Sequence, residues 1–245
     1  MQPYIYLGGL PPVPMYFIMG LSGFLFAVTI ALIKRKAFGL RARAVLRIAA
    51  LAIICAVIGA RILNACVQIF LRGGEPGFWT AENWIQIFKN GGVLYGGLFG
   101  CVGMAALGAK LCRVDIRSTL NVLAYAMLGF ASLARLGCWC AGCCYGIELA
   151  SGARFPVQLF EAGYCTVALL AFLIIKPERR WPGMPLLSVN FIAYSAGRFI
   201  LEFFRGDASR GVWLLSTSQW IALALIALAV VWLRKSKYKR TPQAS

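Results

Sequence analysis

The chain has 245 residues, 60% of them hydrophobic and only 13% charged, with 25 Lys and Arg against 8 Asp and Glu and a formal net charge of +17. A soluble domain carries about a quarter charged residues, so this composition excludes an ordinary water-soluble fold and points to an integral membrane protein. Apolar runs of about 20 residues, rather than alternating segments of about 10, exclude a transmembrane barrel. The expectation is an all-α, seven-transmembrane-helix bundle forming a single polytopic domain over 1–245.

The first residues lack a basic n-region, so no cleaved signal peptide is predicted. Apolar spans are predicted near 15–33, 45–71, 91–111, 118–139, 156–175, 184–204 and 216–233. A proline-rich entry (Pro11, Pro12, Pro14) precedes the first, and a turn rich in glycine and proline (Gly73, Gly74, Pro76, Gly77) follows the second. Trp84–Phe88 reads as a segment lying in the membrane interface.

Orientation follows from the basic residues. One set of loops, with the tail, holds Lys34, Arg35, Lys36, Arg41, Arg43, Arg47, Lys110, Arg113, Arg117, Lys176, Arg179, Arg180, Arg234, Lys235, Lys237, Lys239 and Arg240. The opposite set holds Arg72, Lys89, Arg154, Arg205 and Arg210. Seventeen against five predicts the N-terminus outside and the C-terminus in the cytoplasm. The positive charge is then a topology signal and an inner-leaflet anchor for anionic lipids, not a nucleic-acid surface.

Three arginines remain inside spans: Arg61, Arg135 and Arg198. A charge at a helix centre costs roughly 2.5–3.5 kcal/mol and marks a functional candidate; the bland alternative is a side chain snorkelling to the interface. In the predicted topology these arginines, Gly91–Gly97, Glu202 and the cysteines Cys138, Cys140, Cys143 and Cys144 share one layer near the outer face. Tyr194, Arg198, Glu202 and Arg205, spaced 4, 4 and 3, lie on one helical face, where Arg198 and Glu202 can pair. Arg61, Arg135, Arg198 and Arg205 face only two candidate acids in that layer, Glu161 and Glu202. The surplus cation calls for an anion, and a phospholipid phosphate is the local one.

The run Gly91–Gly100 sets Tyr95 between glycines, either for helix packing or as the wall of a site. The four clustered cysteines are open to several readings: a disulfide, a metal site, reactive thiols or small buried apolar residues. C-x-C-x-x-C-C matches no familiar zinc spacing and the chain has no histidine, so a disulfide or buried thiols is expected, with no metal.

Together these segments resemble the bacterial prolipoprotein diacylglyceryl transferase family. Gly59-Ala60-Arg61 looks like its arginine motif on the second span, and GGVLYGGLFG like its glycine-rich third span. ARLGCWCAGCCYG aligns with the signature R-x-G-N-F-x-N-G-E-x-x-G, RFPVQLFEA resembles R-H-P-x-Q-L-Y-E, and GRFILEFFRGD resembles R-x-x-x-E-F-x-R. The resemblance implies a multi-pass protein of the bacterial inner membrane. It implies transfer of diacylglycerol from phosphatidylglycerol to the lipobox cysteine thiol of a preprolipoprotein, with glycerol-1-phosphate leaving and no cofactor.

It further implies that Arg135 and Arg198 hold the lipid phosphate, with Arg61 and Arg205 in the same polar cluster. Glu202 would orient, and Gln158, Tyr194, Gly96 and Gly97 would line the site. Catalytic roles fall on Tyr95, Glu202 and Arg198. Tyr95 stands where the family has a histidine, and a phenol's reference pKa, near 10, lies far above an imidazole's, near 6.5. Cys138, Ala141 and Cys143 replace the signature asparagines and glutamate, and Phe155 replaces the histidine before Pro156. A short stretch joins Gly146 to Arg154, where the family has a longer outer region. The lipid half of the site is thus kept and the acceptor half altered, so the alternatives are a divergent enzyme with another acceptor and a non-catalytic phospholipid-binding scaffold.

Overall fold

The computed structural model describes residues 4–6, 12–76, 78–89, 92–206 and 212–236. Pro11, Gly77, Gly91, Arg210 and the tail residues Lys237, Lys239 and Arg240, which entered the expectations above, lie outside the described residues. The helices are α1 (Met15–Lys34), α2 (Ala42–Arg72), α3 (Ala81–Lys89), α4 (Leu94–Leu111), α5 (Ile116–Ala141), α6 (Val157–Ile175), α7 (Pro177–Arg180), α8 (Leu186–Leu201) and α9 (Thr217–Lys235). Seven of them, all but α3 and α7, are long and apolar enough to cross a membrane. The protein is therefore an all-α membrane protein with seven spans. Among the described residues, strand is confined to two-residue antiparallel pairs, Tyr4–Ile5 with Val13–Pro14 and Val212–Trp213 with Leu215–Ser216. Large apolar side chains such as Val167, Ile174 and Leu228 stay exposed, as the hydrocarbon of a bilayer requires.

The chain forms two compact units, one of residues 39–120 and the other of 1–38 with 121–245. In the first, α2 and α4 pack backbone to backbone. A Cβ built on Gly96 would sit 2.3 Å from the Gly59 carbonyl oxygen, and one on Gly100 would sit 2.3 Å from that of Cys55. Only glycine permits so close an approach. Helix α3 lies on α2 through Phe78, Ala65, Ile87 and Trp84, and Asn64 Nδ2 donates to the Ile87 carbonyl at 3.1 Å. Val93 N donates to the Ala60 carbonyl at 3.1 Å, fixing the entry to α4.

In the second unit, α5 is the central element. Glycines seat α1 against it: Gly23 faces Phe130, Gly129 faces Ile30, and Gly137 faces Met19. Asn121 caps the start of α8, donating to the Met184 carbonyl (3.0 Å) and accepting from Leu186 N (2.8 Å). Lys34 at the end of α1 pairs with Glu178 of α7 at 2.9 Å and lies 4.4 Å from the Tyr125 ring centroid. The Tyr125 hydroxyl donates to the same carboxylate. At α9, Ser216 and Gln219 form a reciprocal capping box: Gln219 N donates to Ser216 Oγ (3.2 Å) and Ser216 N to Gln219 Oε1 (2.9 Å).

Candidate functional site

Helix α6 opens with Gln158, Glu161 and Cys165 on one face, all buried. Glu161 Oε1 meets Arg135 of α5 at 2.8 Å, and its Oε2 meets Arg198 of α8 at 3.4 Å. Arg198 continues to Glu202 at 2.9 Å, and Glu202 to Arg205 at 3.9 Å. The result is one chain of alternating charge, Arg135–Glu161–Arg198–Glu202–Arg205, in which no side chain exceeds 11% exposure. An unpaired buried charge is strongly unfavourable, and alternation is what makes this burial tolerable. Among the described side chains of this cluster, three guanidiniums face two carboxylates. The Arg205 link is the longest of the chain.

Tyr194, one turn before Arg198, donates its hydroxyl to Glu161 Oε1 at 2.9 Å and accepts from Arg135 at 3.4 Å. The structure thus brings Arg135, Tyr194, Arg198, Glu202 and Arg205 together. Residues 202–204 tighten into a 3-10 turn after α8, and Arg205 then leaves in extended conformation, bridged through its backbone to Gly146. A Cβ on Gly146 would lie 2.2 Å from the Phe155 carbonyl oxygen and 2.9 Å from that of Phe204, so the glycine is needed to join these segments.

Gln158 is 2% exposed, and its Nε2 donates to the Cys143 carbonyl at 2.7 Å. Its Oε1 has no hydrogen-bond partner among the described residues, leaving a buried acceptor beside the cysteine turn. Cys138 and Cys140 lie in the last turns of α5 rather than in a loop, and Gly142 (φ 71°) and Cys144 (φ 56°) then reverse the chain. The sulfurs of Cys138, Cys143 and Cys144 all lie within 4.8 Å of one another, and all nine cysteines are free thiols. Hydrogen bonds from the Cys138 and Cys143 thiols, with Arg205 and Arg135 adding attraction, pull the Cys144 thiol well below its ordinary range against the effect of burial. Cys143 moves the other way: the bond with Cys138 lowers it, but Cys144 and burial outweigh that.

Arg61, Tyr95, Gly96 and Gly97 belong to the unit of residues 39–120. There the Arg61 guanidinium donates to the Phe88 carbonyl, tying α2 to α3. Tyr95 is 8% exposed. Gly96 abuts Gly59, and Gly97 lies against Ala56 and Ala60, so both serve the α2–α4 contact. The hub residue Glu161 had only been counted among the acids of the layer. Its signal was the i, i+3 and i+7 spacing of Gln158, Glu161 and Cys165, two polar residues and a thiol on one helical face.

The family model for prolipoprotein diacylglyceryl transferase matches residues 4–234. Among curated proteins, the chain is 30% identical over 210 residues to phosphatidylglycerol–prolipoprotein diacylglyceryl transferase 2 of Clostridium perfringens, covering 77% of each chain. It is 28% identical over 224 residues to the phosphatidylglycerol–prolipoprotein diacylglyceryl transferase of Clostridium tetani, covering 85% of this chain and 87% of the relative. It is also 28% identical to phosphatidylglycerol–prolipoprotein diacylglyceryl transferase 1 of Streptomyces coelicolor, across 94% of this chain and 72% of the relative. Matched by that family model over residues 4–234, this protein belongs to the prolipoprotein diacylglyceryl transferase family.

Proposed function

We propose that the protein transfers diacylglycerol from phosphatidylglycerol to a lipoprotein cysteine thiol at the outer face of the bacterial inner membrane, with its N-terminus outside and C-terminus cytoplasmic. The observation that carries this reading is the convergence of Arg135, Arg198 and Arg205 on one buried cluster with Glu161 and Glu202. A phosphodiester brings one negative charge, which guanidiniums are suited to receive. In this account Arg198, Arg135 and Arg205 hold the phosphate, Glu161 and Glu202 fix the guanidinium planes, and Gln158 Oε1 accepts from a headgroup hydroxyl.

The acceptor sulfur attacks the glyceryl carbon that bears the phosphate. A carbon–sulfur bond forms, the carbon–oxygen bond breaks, and glycerol-1-phosphate leaves with the bonding electrons. Guanidiniums already in place stabilise the negative charge that gathers on the departing phosphate oxygen. The thiol must lose its proton, and Tyr95, standing by sequence where the family has histidine, is the residue assigned to accept it, as its phenolate, which returns to phenol.

A second reading keeps the donor and changes the acceptor. It is favoured by the cysteines that replace polar side chains of the signature and by the burial of Tyr95. An acceptor that arrives as thiolate needs no strong base. The test is purified protein with labelled phosphatidylglycerol and either a lipobox peptide or a small acidic thiol. Label on the peptide supports the first reading, label on the small thiol alone supports the second, and label on neither identifies a lipid-binding protein without transfer.

A further inference from the structure

The geometry points to a three-thiolate site for a soft, monovalent metal ion of the copper(I) class, formed by Cys138, Cys143 and Cys144 at the turn that leaves α5. The three sulfurs lie within 4.8 Å of one another. With a metal–thiolate bond of about 2.3 Å, a planar trigonal site sets its sulfurs about 4.0 Å apart, within that spread. The donor set is sulfur only. Among the described residues no carboxylate joins the group, Cys140 is not part of it, and the sequence contains no histidine. Thiolates suit both zinc and copper(I), but zinc takes four ligands in a structural site, so a three-sulfur set fits copper(I) better. A disulfide would use two of these three thiols and strand the third.

The turn is held from outside the cluster, as a preorganised site requires. Gly142 and Cys144 both adopt the left-handed region, which returns Cys143 to Cys138, and Cys143 N donates to the Cys138 carbonyl at 3.2 Å. A cysteine at positive φ is uncommon and needs its surroundings to hold it there. Gln158 grips the Cys143 carbonyl, Gly206 N donates to the Tyr145 carbonyl at 3.0 Å, and Gly146 bridges Arg205. Cys138 is buried while Cys143 is exposed, giving a closed floor and an open entry. Binding forms three metal–sulfur bonds, releases to solvent whichever thiol protons remain, and transfers no electron. Three thiolates and one monovalent ion leave a doubly negative complex. Arg135, one helical turn before Cys138, and Arg205, bridged to Gly146, supply countercharge; these are two of the cations assigned above to the lipid phosphate, so metal and lipid are alternative occupants. This inference does not depend on lipid transfer.

The test uses the purified full chain, reduced, anaerobic and in detergent, titrated with copper(I) against a chromophoric copper(I) chelator. The expected result is one ion per chain, a thiolate-to-metal absorption in the ultraviolet, and three sulfur neighbours by X-ray absorption. Cys138→Ser, Cys143→Ser and Cys144→Ser should each weaken binding by more than the roughly 10–100-fold that loss of a supporting residue costs. Cys140→Ser should leave affinity and spectrum unchanged. Helical circular dichroism and gel filtration confirm that each variant is folded. Three outcomes overturn the proposal: affinity no tighter than that of the Cys138/Cys143/Cys144 triple-serine variant, zinc(II) held in preference to copper(I), or equal loss in Cys140→Ser.

Discussion

Arg135 and Arg198 meet on a single carboxylate: Glu161 holds Arg135 at 2.8 Å on one oxygen and Arg198 at 3.4 Å on the other. Three helices, α5, α6 and α8, are thereby joined by one acidic side chain that is 1% exposed. The stability of this unit and its affinity for an anion are two readouts of the same cluster.

Among the described carboxylates, Arg198 touches both Glu161 and Glu202, whereas Arg135 touches only Glu161. Removing one partner of a buried pair costs about 3–5 kcal/mol. Arg198→Ala should therefore lower stability more than Arg135→Ala, with Glu161→Gln at least as damaging as either because it leaves two guanidiniums without their shared carboxylate. Thermal unfolding in one detergent ranks the three variants; Arg135→Ala as the most damaging would contradict the geometry.

Gly96→Ala should destabilise the α2–α4 pair by about 1–3 kcal/mol, the usual cost of overpacking, because the new methyl meets the Gly59 backbone. Gly103, on the same helix, has nothing within 4 Å of its would-be Cβ, so Gly103→Ala should be neutral or stabilising by up to about 1 kcal/mol through helix propensity. Unfolding midpoints of the two variants decide the matter, and equal effects would refute the close approach.

The seven spans were legible because hydropathy alone sets the length of a membrane helix. The Arg198–Glu202 pair was legible because a spacing of four fixes a shared helical face. Glu161 was not, since its role depends on how α5, α6 and α8 pack, which no local period encodes. Glycines in α4 announced a close approach but could not name Gly59 as the partner. The convergence of Cys143 and Cys144 on Cys138 required two left-handed residues, and a cysteine gives no advance sign of adopting that region.

Glu178, between two spans, gives the protein an acid-sensitive joint. Burial raises its carboxyl, but hydrogen bonds from Tyr125 and Lys34 outweigh that and hold it below its ordinary value of 4.5. A carboxyl depressed in the folded state contributes stability that is present above its unfolded value and lost as pH falls through the folded one. Stability should therefore drop below about pH 4.5 in the wild type. Glu178→Gln should be less stable at neutral pH and show a flatter acid limb. Unfolding measured against pH checks this, and an unchanged limb would remove Glu178 from the account.

If Tyr95 accepts the acceptor thiol's proton, Tyr95→Phe should abolish transfer while lipid binding persists. Tyr95→His should shift the activity optimum downward over roughly pH 6–10, since the imidazole reference lies about 3.5 units below the phenol's. Rates with labelled lipid across that range provide the readout. Equal activity in wild type and Tyr95→Phe would take the residue out of the mechanism.

The most direct test removes one of the three arginines assigned to the phosphate. Arg205→Gln leaves Arg135, Glu161, Arg198 and Glu202, two charges of each sign. Binding of phosphatidylglycerol and of zwitterionic phosphatidylcholine is measured for wild type and variant in the same detergent. The account predicts a clear preference for phosphatidylglycerol in the wild type that weakens at least about tenfold in Arg205→Gln, the equivalent of losing one charge-assisted contact of roughly 1.5–3 kcal/mol. A wild type with no such preference, or one whose preference survives Arg205→Gln intact, would contradict the central claim that this buried chain of charge is the lipid-phosphate site.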